Sequence, residues 1–150
     1  MVKVMASGVF DILHPGHLHY LKQAKEMGDE LVVVVACDDN VRRFKHEPVT
    51  SEEMRCTMVR SLKMVDEAYV GKEGDMFGIV QEISPDIIAL GYDQSFDEED
   101  LRVRLAERGL DVKVRRVGQC AEDLNGTRKI IQRIIEEHDR RIADEKDRNR

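Results

Sequence analysis

The run Leu31-Val32-Val33-Val34-Val35-Ala36 constrains this chain more than any other stretch. Its apolar, mostly β-branched residues follow one another without polar alternation, the pattern of a strand buried on both faces. The run is far short of the roughly 20 apolar residues that a membrane-spanning helix needs. A strand covered on both faces belongs to a parallel sheet with helices packed above and below it.

The remaining segments repeat that theme. Val2 to Ala6 is a short apolar run that ends at Ser7-Gly8. A helix is predicted from about Pro15 to Met27, stopping at Gly28. Thr50 and Glu53 stand three apart as a capping box, with Met54, Met58, Val59 and Leu62 behind them at helical spacing. Glu67 to Val70 is a short strand candidate, and Asp75 can cap a helix striped by Met76, Ile79, Val80 and Ile83. Ser84-Pro85 ends that helix, and Asp86 to Leu90 reads as the next strand. Asp97 to Arg108 is a helix with an acidic start and Gly109 at its C′ position. Leu110 to Val117 alternates as an edge strand should. The last helix begins near Gly126-Thr127 and carries Ile130, Ile131, Ile134 and Ile135. Beyond Glu136 the chain is almost wholly charged, so we expect a domain over 1–138 and a solvated tail over 139–150.

Strands alternating with helices through short links predict an α/β fold, a Rossmann-like, doubly wound, five-stranded parallel sheet of order 3-2-1-4-5. Ligands bind such sheets at the carboxyl ends of the strands, where the strand order reverses. That placement sets the loop holding His14 to His17 across one crevice from Gly91 to Asp93.

Composition narrows the function. A length of 150 residues with 41% apolar content suffices for one packed domain. Thirty acidic against twenty-four basic residues give a net charge of −6, which argues against a nucleic-acid scaffold but allows a local pocket for phosphates. Cys37, Cys56 and Cys120 are widely spaced with no C-x-x-C pair, and are expected as free thiols of a reducing compartment. No charged-then-apolar leader precedes the first strand, so the expected location is cytoplasmic.

The first loop carries the chemistry. Gly8 ends the first strand with minimal bulk, so backbone can approach a ligand. Pro15 suits the first helical position, which makes His14 the cap and His17 the third helical residue. Gly16 leaves room beside both imidazoles. A helix N-terminus aims N–H groups and a positive dipole end at an anion, and two imidazoles beside it suit a polyphosphate. They can donate hydrogen bonds where negative charge grows in a transition state. Zinc would need a third ligand, and His19 should point away from the His14/His17 side, so no protein metal site is expected.

Gly8-Val9-Phe10-Asp11-Ile12-Leu13-His14-Pro15-Gly16-His17 resembles the G-x-F-D-x-x-H-x-G-H signature of the small nucleotidyltransferases. Glu52 to Arg55, Val59 to Lys63 and Val65-Asp66 resemble a further segment of the cytidylyltransferase-like members. Asp86 to Gln94 is most similar to the archaeal-type FAD synthases, which adenylylate FMN. The likeness covers about residues 2 to 135. It implies direct attack of a substrate phosphate oxygen on the α-phosphorus of a nucleoside triphosphate, with pyrophosphate leaving. His14 and His17 would hold the triphosphate and stabilise the transition state, and Gly8, Asp11, Pro15 and Gly16 would line the nucleotide. Val9 and Phe10 would add backbone contacts, and a divalent ion such as Mg²⁺ would ride on the nucleotide. A homodimer is the further expectation from the family.

The same likeness implies roles elsewhere. Asp93 would lie near the ribose or base, with a plain turn residue as the alternative. Arg55 would point toward the substrate phosphate, or else form a surface salt bridge. Arg42, Arg43 and Lys45 cluster in the loop after the second strand, where Lys45, with Arg43 as its rival, would meet the acceptor's phosphate. Gly126 and Thr127 stand where relatives carry a Ser/Thr-rich element for the phosphates, although only Thr127 keeps a hydroxyl. Ile130 replaces the arginine of the pantetheine-phosphate and nicotinamide-mononucleotide enzymes, and Cys120 to Asp123 replace the R-T-E-G of the glycerol-3-phosphate enzymes. The favoured expectation is therefore AMP transfer from ATP to FMN. A cytidylyl or adenylyl transfer to another small phosphate is the first alternative, and a non-catalytic nucleotide-binding module the second.

Overall fold

The computed structural model describes every residue except Asp75, so the cap expected there lies outside the described residues. Five strands, β1 (Lys3–Gly8), β2 (Glu30–Val35), β3 (Glu67–Val70), β4 (Ile87–Leu90) and β5 (Lys113–Arg116), form one sheet in the order β3-β2-β1-β4-β5. All neighbours are parallel; Lys3 to Gly8 register against Glu30 to Val35, and Val4 to Ala6 against Ile87 to Ala89. The expected architecture and strand order are therefore observed. The chain builds outward from β1 on one side and then crosses to β4, so the order reverses between β1 and β4.

Among the described residues six helices connect and flank the strands: α1 (Pro15–Glu26), α2 (Asp38–Phe44), α3 (Glu52–Arg60), α4 (Met76–Ile83), α5 (Glu98–Glu107) and α6 (Thr127–Arg148). The unalternated run of β2 is explained by its two faces. Leu31, Val33 and Val35 join Val4, Ala6, Leu21, Ala24 and Val59 in one core, toward α1 and α3. Val34 joins Met5, Ile88, Leu90, Val80, Leu101 and Leu105 in the other, toward α4 and α5. Each such aliphatic side chain taken fully out of water contributes about 1.5–3 kcal/mol before entropy is counted.

Three local expectations are corrected. The segment after β2 is not a loop: Asp38, Asp39, Arg42 and Arg43 form the ends of α2, acidic at its start and basic at its end as the helix dipole favours. Only Val41 of that helix is buried, so no apolar period announced it. The cap of α3 is Ser51, whose hydroxyl accepts from the Met54 N–H, while Thr50 turns elsewhere. The segment expected as a frayed helix end and a solvated tail is helical, because α6 runs unbroken to Arg148, with no buried residue.

Candidate active site

The loop between β1 and α1 is wound tightly. Phe10 (φ 56°) and Ile12 (φ 59°) both sit in the left-handed region, an uncommon conformation for non-glycine residues. The Phe10 ring is buried under Gly8, where an added Cβ would lie 3.0 Å from the ring, so Gly8 clears space for that ring. Between them, Asp11 is a tether. Its carboxylate accepts from the Val49 N–H (2.7 Å), the Thr50 N–H (3.0 Å) and the Thr50 hydroxyl (2.7 Å), and its carbonyl accepts from the Thr127 hydroxyl (3.0 Å). Burial raises the Asp11 carboxyl, but the Val49 and Thr50 hydrogen bonds and the Arg55 charge outweigh it and leave the pKa lowered. The side chain expected to line a nucleotide thus holds the loop's shape instead.

At the start of α1 an imidazole does the work that serine or aspartate usually does. His14 Nδ1 accepts from the N–H groups of Gly16 (3.0 Å) and His17 (3.4 Å). Using that lone pair places the proton of the neutral ring on Nε2, which becomes a donor. Burial lowers the His14 pKa, opposed by the negative charge of Asp93. The His17 ring stacks on His14 with centroids 3.7 Å apart and meets the Phe10 ring edgewise at 5.2 Å. Burial first, then the His14 ring, takes the His17 pKa down to about 3. Both rings are therefore neutral at pH 7 rather than cationic, and a neutral imidazole carries one N–H donor. His17 Nδ1 is buried without a hydrogen-bond partner among the described residues, an orphaned polar atom that costs stability.

The start of α6 closes on the same place. An added Cβ on Gly16 would lie 2.4 Å from the Asn125 carbonyl oxygen and 2.8 Å from the His14 ring, so only glycine lets these segments touch. Gly126 caps α6 with no side chain bonded to the first turn, which leaves that N-terminus to be served from outside. The Thr127 hydroxyl is committed to Asp11, so Gly126 and Thr127 face the cleft with backbone rather than with the hydroxyl expected of the family element.

Arg55 is the clearest correction. It is only 1% exposed, and its guanidinium bonds the carbonyls of Thr50 (3.1 Å), Val9 (2.9 Å) and Ala36 (2.7 Å) and the Asp38 carboxylate (2.6 Å). With its side chain fully buried and four of its five N–H donors committed, it is neither a phosphate ligand nor a surface salt bridge. It braces the β1 loop, through the Val9 carbonyl, against the end of β2 and the start of α2. In the basic cluster, Arg42 is paired with Glu47 and Asp39, and Arg43 lies 5.3 Å over the Phe44 ring. Lys45, at the end of α2, is exposed and close enough to His17 for its charge to lower that pKa.

Asp93 is exposed in the turn after β4, across the strand-order reversal and within the electrostatic reach of His14, so the two loops expected to face each other do. Residues that hold this turn were not foreseen. Arg116 of β5 donates to the carbonyls of Gly91 (2.8 Å), Gln94 (2.7 Å) and Phe96 and pairs with Glu98. The Gln94 side chain bridges the Ser7 carbonyl and the Gly91 N–H. Tyr20 donates to the Ala89 carbonyl (2.6 Å) and lies against the Ser7 N–H, pinning β1 to β4 beneath the crevice. No sequence pattern singles out Arg116, because an edge strand rich in charge reads as a solvated face. Cys37, Cys56 and Cys120 are free and buried; Cys120 borders an open cavity of about 540 Å³ lined also by Asn125 and Lys129. Among the described residues no three His, Cys, Asp or Glu side chains cluster to hold a metal, and no helix is long and apolar enough to cross a membrane.

Comparison with known proteins bears on the same residues. The cytidylyltransferase-like family matches residues 5–147. The chain is 53% identical over 150 residues to the FAD synthase of Aciduliprofundum boonei, covering 99% of each. It is 48% identical over 136 residues to the FAD synthase of Thermoplasma volcanium, covering 91% of this chain and 96% of that one. A crystal structure described as the lipopolysaccharide core biosynthesis protein from Thermoplasma volcanium GSS1 superposes with a TM-score of 0.79 at 51% identity, covering 80% of this chain and 98% of the other.

Proposed function

The chain belongs to the cytidylyltransferase-like family, and from that premise we propose that it transfers AMP from ATP to FMN, giving FAD and pyrophosphate. The observation that carries the chemistry is the neutral His14–His17 pair at the start of α1, with one buried ring nitrogen left without a partner. The choice of ATP and FMN rests on relatives named FAD synthase that match over nearly the whole chain.

A terminal phosphate oxygen of FMN attacks the α-phosphorus of ATP. The bond from that phosphorus to the bridging oxygen breaks, and pyrophosphate leaves with the oxygen. A phosphate monoester is largely dianionic at pH 7, so the nucleophile needs no base, and none is built here. Catalysis then rests on positioning and on stabilising charge at the phosphorus. His14 donates from Nε2, its other nitrogen being held by the Gly16 and His17 N–H groups. His17 stacks on it as the second donor. The first N–H groups of α1 are taken by His14, so the N-terminus of α6, capped by no side chain and touching α1 at Gly16, would present N–H groups to the leaving phosphates. Lys45, exposed and within electrostatic reach of His17, would meet the acceptor's phosphate. Asp93, exposed in the turn after β4, would meet the ribose or base.

Neutral imidazoles and a carboxylate already spent on Thr50 and Val49 make a poor resident site for a hard cation, which prefers oxygen ligands and water. A divalent ion such as Mg²⁺ accordingly enters as part of the triphosphate substrate, held by phosphate oxygens and water, with Asp93 the exposed carboxylate nearby.

Pyrophosphate release is to be measured with Mg²⁺, crossing ATP and CTP against FMN, glycerol 3-phosphate and other small phosphates. Turnover with ATP and FMN, with FAD identified by chromatography, is the expected result. Turnover only with CTP, or only with another acceptor, overturns the assignment of substrates. Nucleotide binding without any turnover overturns the enzymatic reading.

A further inference from the structure

Arg116 stands at the end of the edge strand β5, in register with Leu90 at the end of β4. The stretch from Gly91 to Asp97 that follows β4 has no helix or strand, and its backbone closes on itself through the Gln94 N–H and the Gly91 carbonyl (3.2 Å). What shapes it is one guanidinium. Arg116 Nη1 donates to the carbonyls of Gly91 (2.8 Å) and Gln94 (2.7 Å) and, at longer range, of Tyr92 (3.4 Å). Nη2 donates to the Phe96 carbonyl, and Nε pairs with Glu98 at the start of α5. Four carbonyls of one turn thus point inward on a planar fork, a geometry that an ammonium does not reproduce. The Gln94 side chain ties the same turn to the Ser7 carbonyl of β1 (2.9 Å).

Two carboxylates lie in this stretch. Asp97 spends its own on the Asp100 N–H (2.8 Å), so the one presented across the crevice is Asp93, within electrostatic reach of His14. A carboxylate repels phosphates and accepts from hydroxyl groups. With the phosphates drawn to the histidine side, the wall that carries Asp93 suits the uncharged, hydroxyl-bearing end of the substrate. We infer that Arg116 is a positioning residue for the nucleoside: its donors face the turn rather than the substrate, and by holding the turn they set Asp93 against the ribose. This rests on the nucleotidyl-transfer reading above and adds to it a residue that governs nucleotide affinity separately from the triphosphate.

Calorimetric titration of the full chain with ATP, CTP and inorganic tripolyphosphate, each with Mg²⁺, separates the two ends of the substrate and needs no acceptor. Arg116→Met should weaken ATP at least about tenfold, and Arg116→Lys, which keeps the charge and loses the fork, at least about threefold. Tripolyphosphate affinity should stay within about twofold in both, whereas loss of a bare positive charge would weaken it at least as much as ATP. In the Asp93→Asn background the loss from Arg116→Met should shrink to less than about threefold, because both changes act on one contact. Circular dichroism checks folding, and Arg116→Lys carries the same comparisons should Arg116→Met fail to fold. Unchanged ATP affinity in the folded Arg116 variants, tripolyphosphate affinity lost in step with ATP, or full additivity with Asp93→Asn overturns the inference. A chain that binds ATP in the expected pattern yet gives no FAD with FMN supports the inference and overturns only AMP transfer to FMN. A chain that binds no nucleotide overturns both.

Discussion

The neutral state of His17 has a consequence that acid titration can measure. Burial, the adjacent His14 ring and the Lys45 charge, against a weaker opposing pull from Asp11, hold the folded ring at a pKa of about 3. Unfolding returns it to an ordinary histidine near 6.5. Below pH 6.5 the unfolded chain therefore binds a proton that the folded chain refuses, so stability is lost as pH falls and the loss continues down to about pH 3. Taking those two values, the cost between pH 7 and pH 5 is about 2 kcal/mol. Urea unfolding at pH 7, 6 and 5 should show the wild type losing that much more than His17→Asn, which puts a neutral polar group in the same place. The remaining histidines and the carboxylates titrate in both proteins and largely cancel, and an unchanged urea slope confirms that the two denatured states are comparable. Parallel pH dependences in the two proteins would refute the buried, neutral ring, and with it the reading of His17 as a donor held ready for an anion.

Further outcomes follow from the same geometry. His17→Ala should lower kcat by about 10²-fold or more in the pyrophosphate-release assay while the domain stays folded; normal turnover would remove the ring from the chemistry. Arg55→Met strands the Asp38 carboxylate and three carbonyls, and should cost about 3–5 kcal/mol in denaturant unfolding. A loss below about 1 kcal/mol would show that the brace is dispensable. Gly16→Ala would favour the helix by about 1 kcal/mol on propensity alone. Contact with Asn125 and His14 should reverse that sign and cut turnover at least about tenfold, so a more stable, fully active variant would contradict the close approach of α1 and α6.

The parts of this protein that were legible in the sequence are those that short-range periodicity encodes. Strands β1, β2 and β4 show as apolar runs because both their faces are covered, and α1, α4 and α5 announce themselves by caps and stripes. The His14-Pro15-Gly16-His17 element is local too, since its geometry follows from proline at the first helical position and a ring three residues before another. Helix α2 was not legible, because seven residues with one buried side chain carry no period. The helical tail beyond residue 138 was read as solvated segment because charge alone does not distinguish an exposed helix from coil.

The functional assignment of polar side chains divides along the same line. Sequence by itself determined the fold class and the two histidines at a helix start, for these depend on patterns within about ten residues, while right-handed connections narrowed the strand order that the tertiary structure then showed. Only the tertiary structure decided what Asp11, Thr50, Arg55, Thr127 and Arg116 do. Asp11 and Arg55 look like ligands on paper, yet each spends its hydrogen bonds on backbone that arrives from distant parts of the chain. A charged side chain leaves water only where partners satisfy it, and those partners become known only when the chain has brought them together.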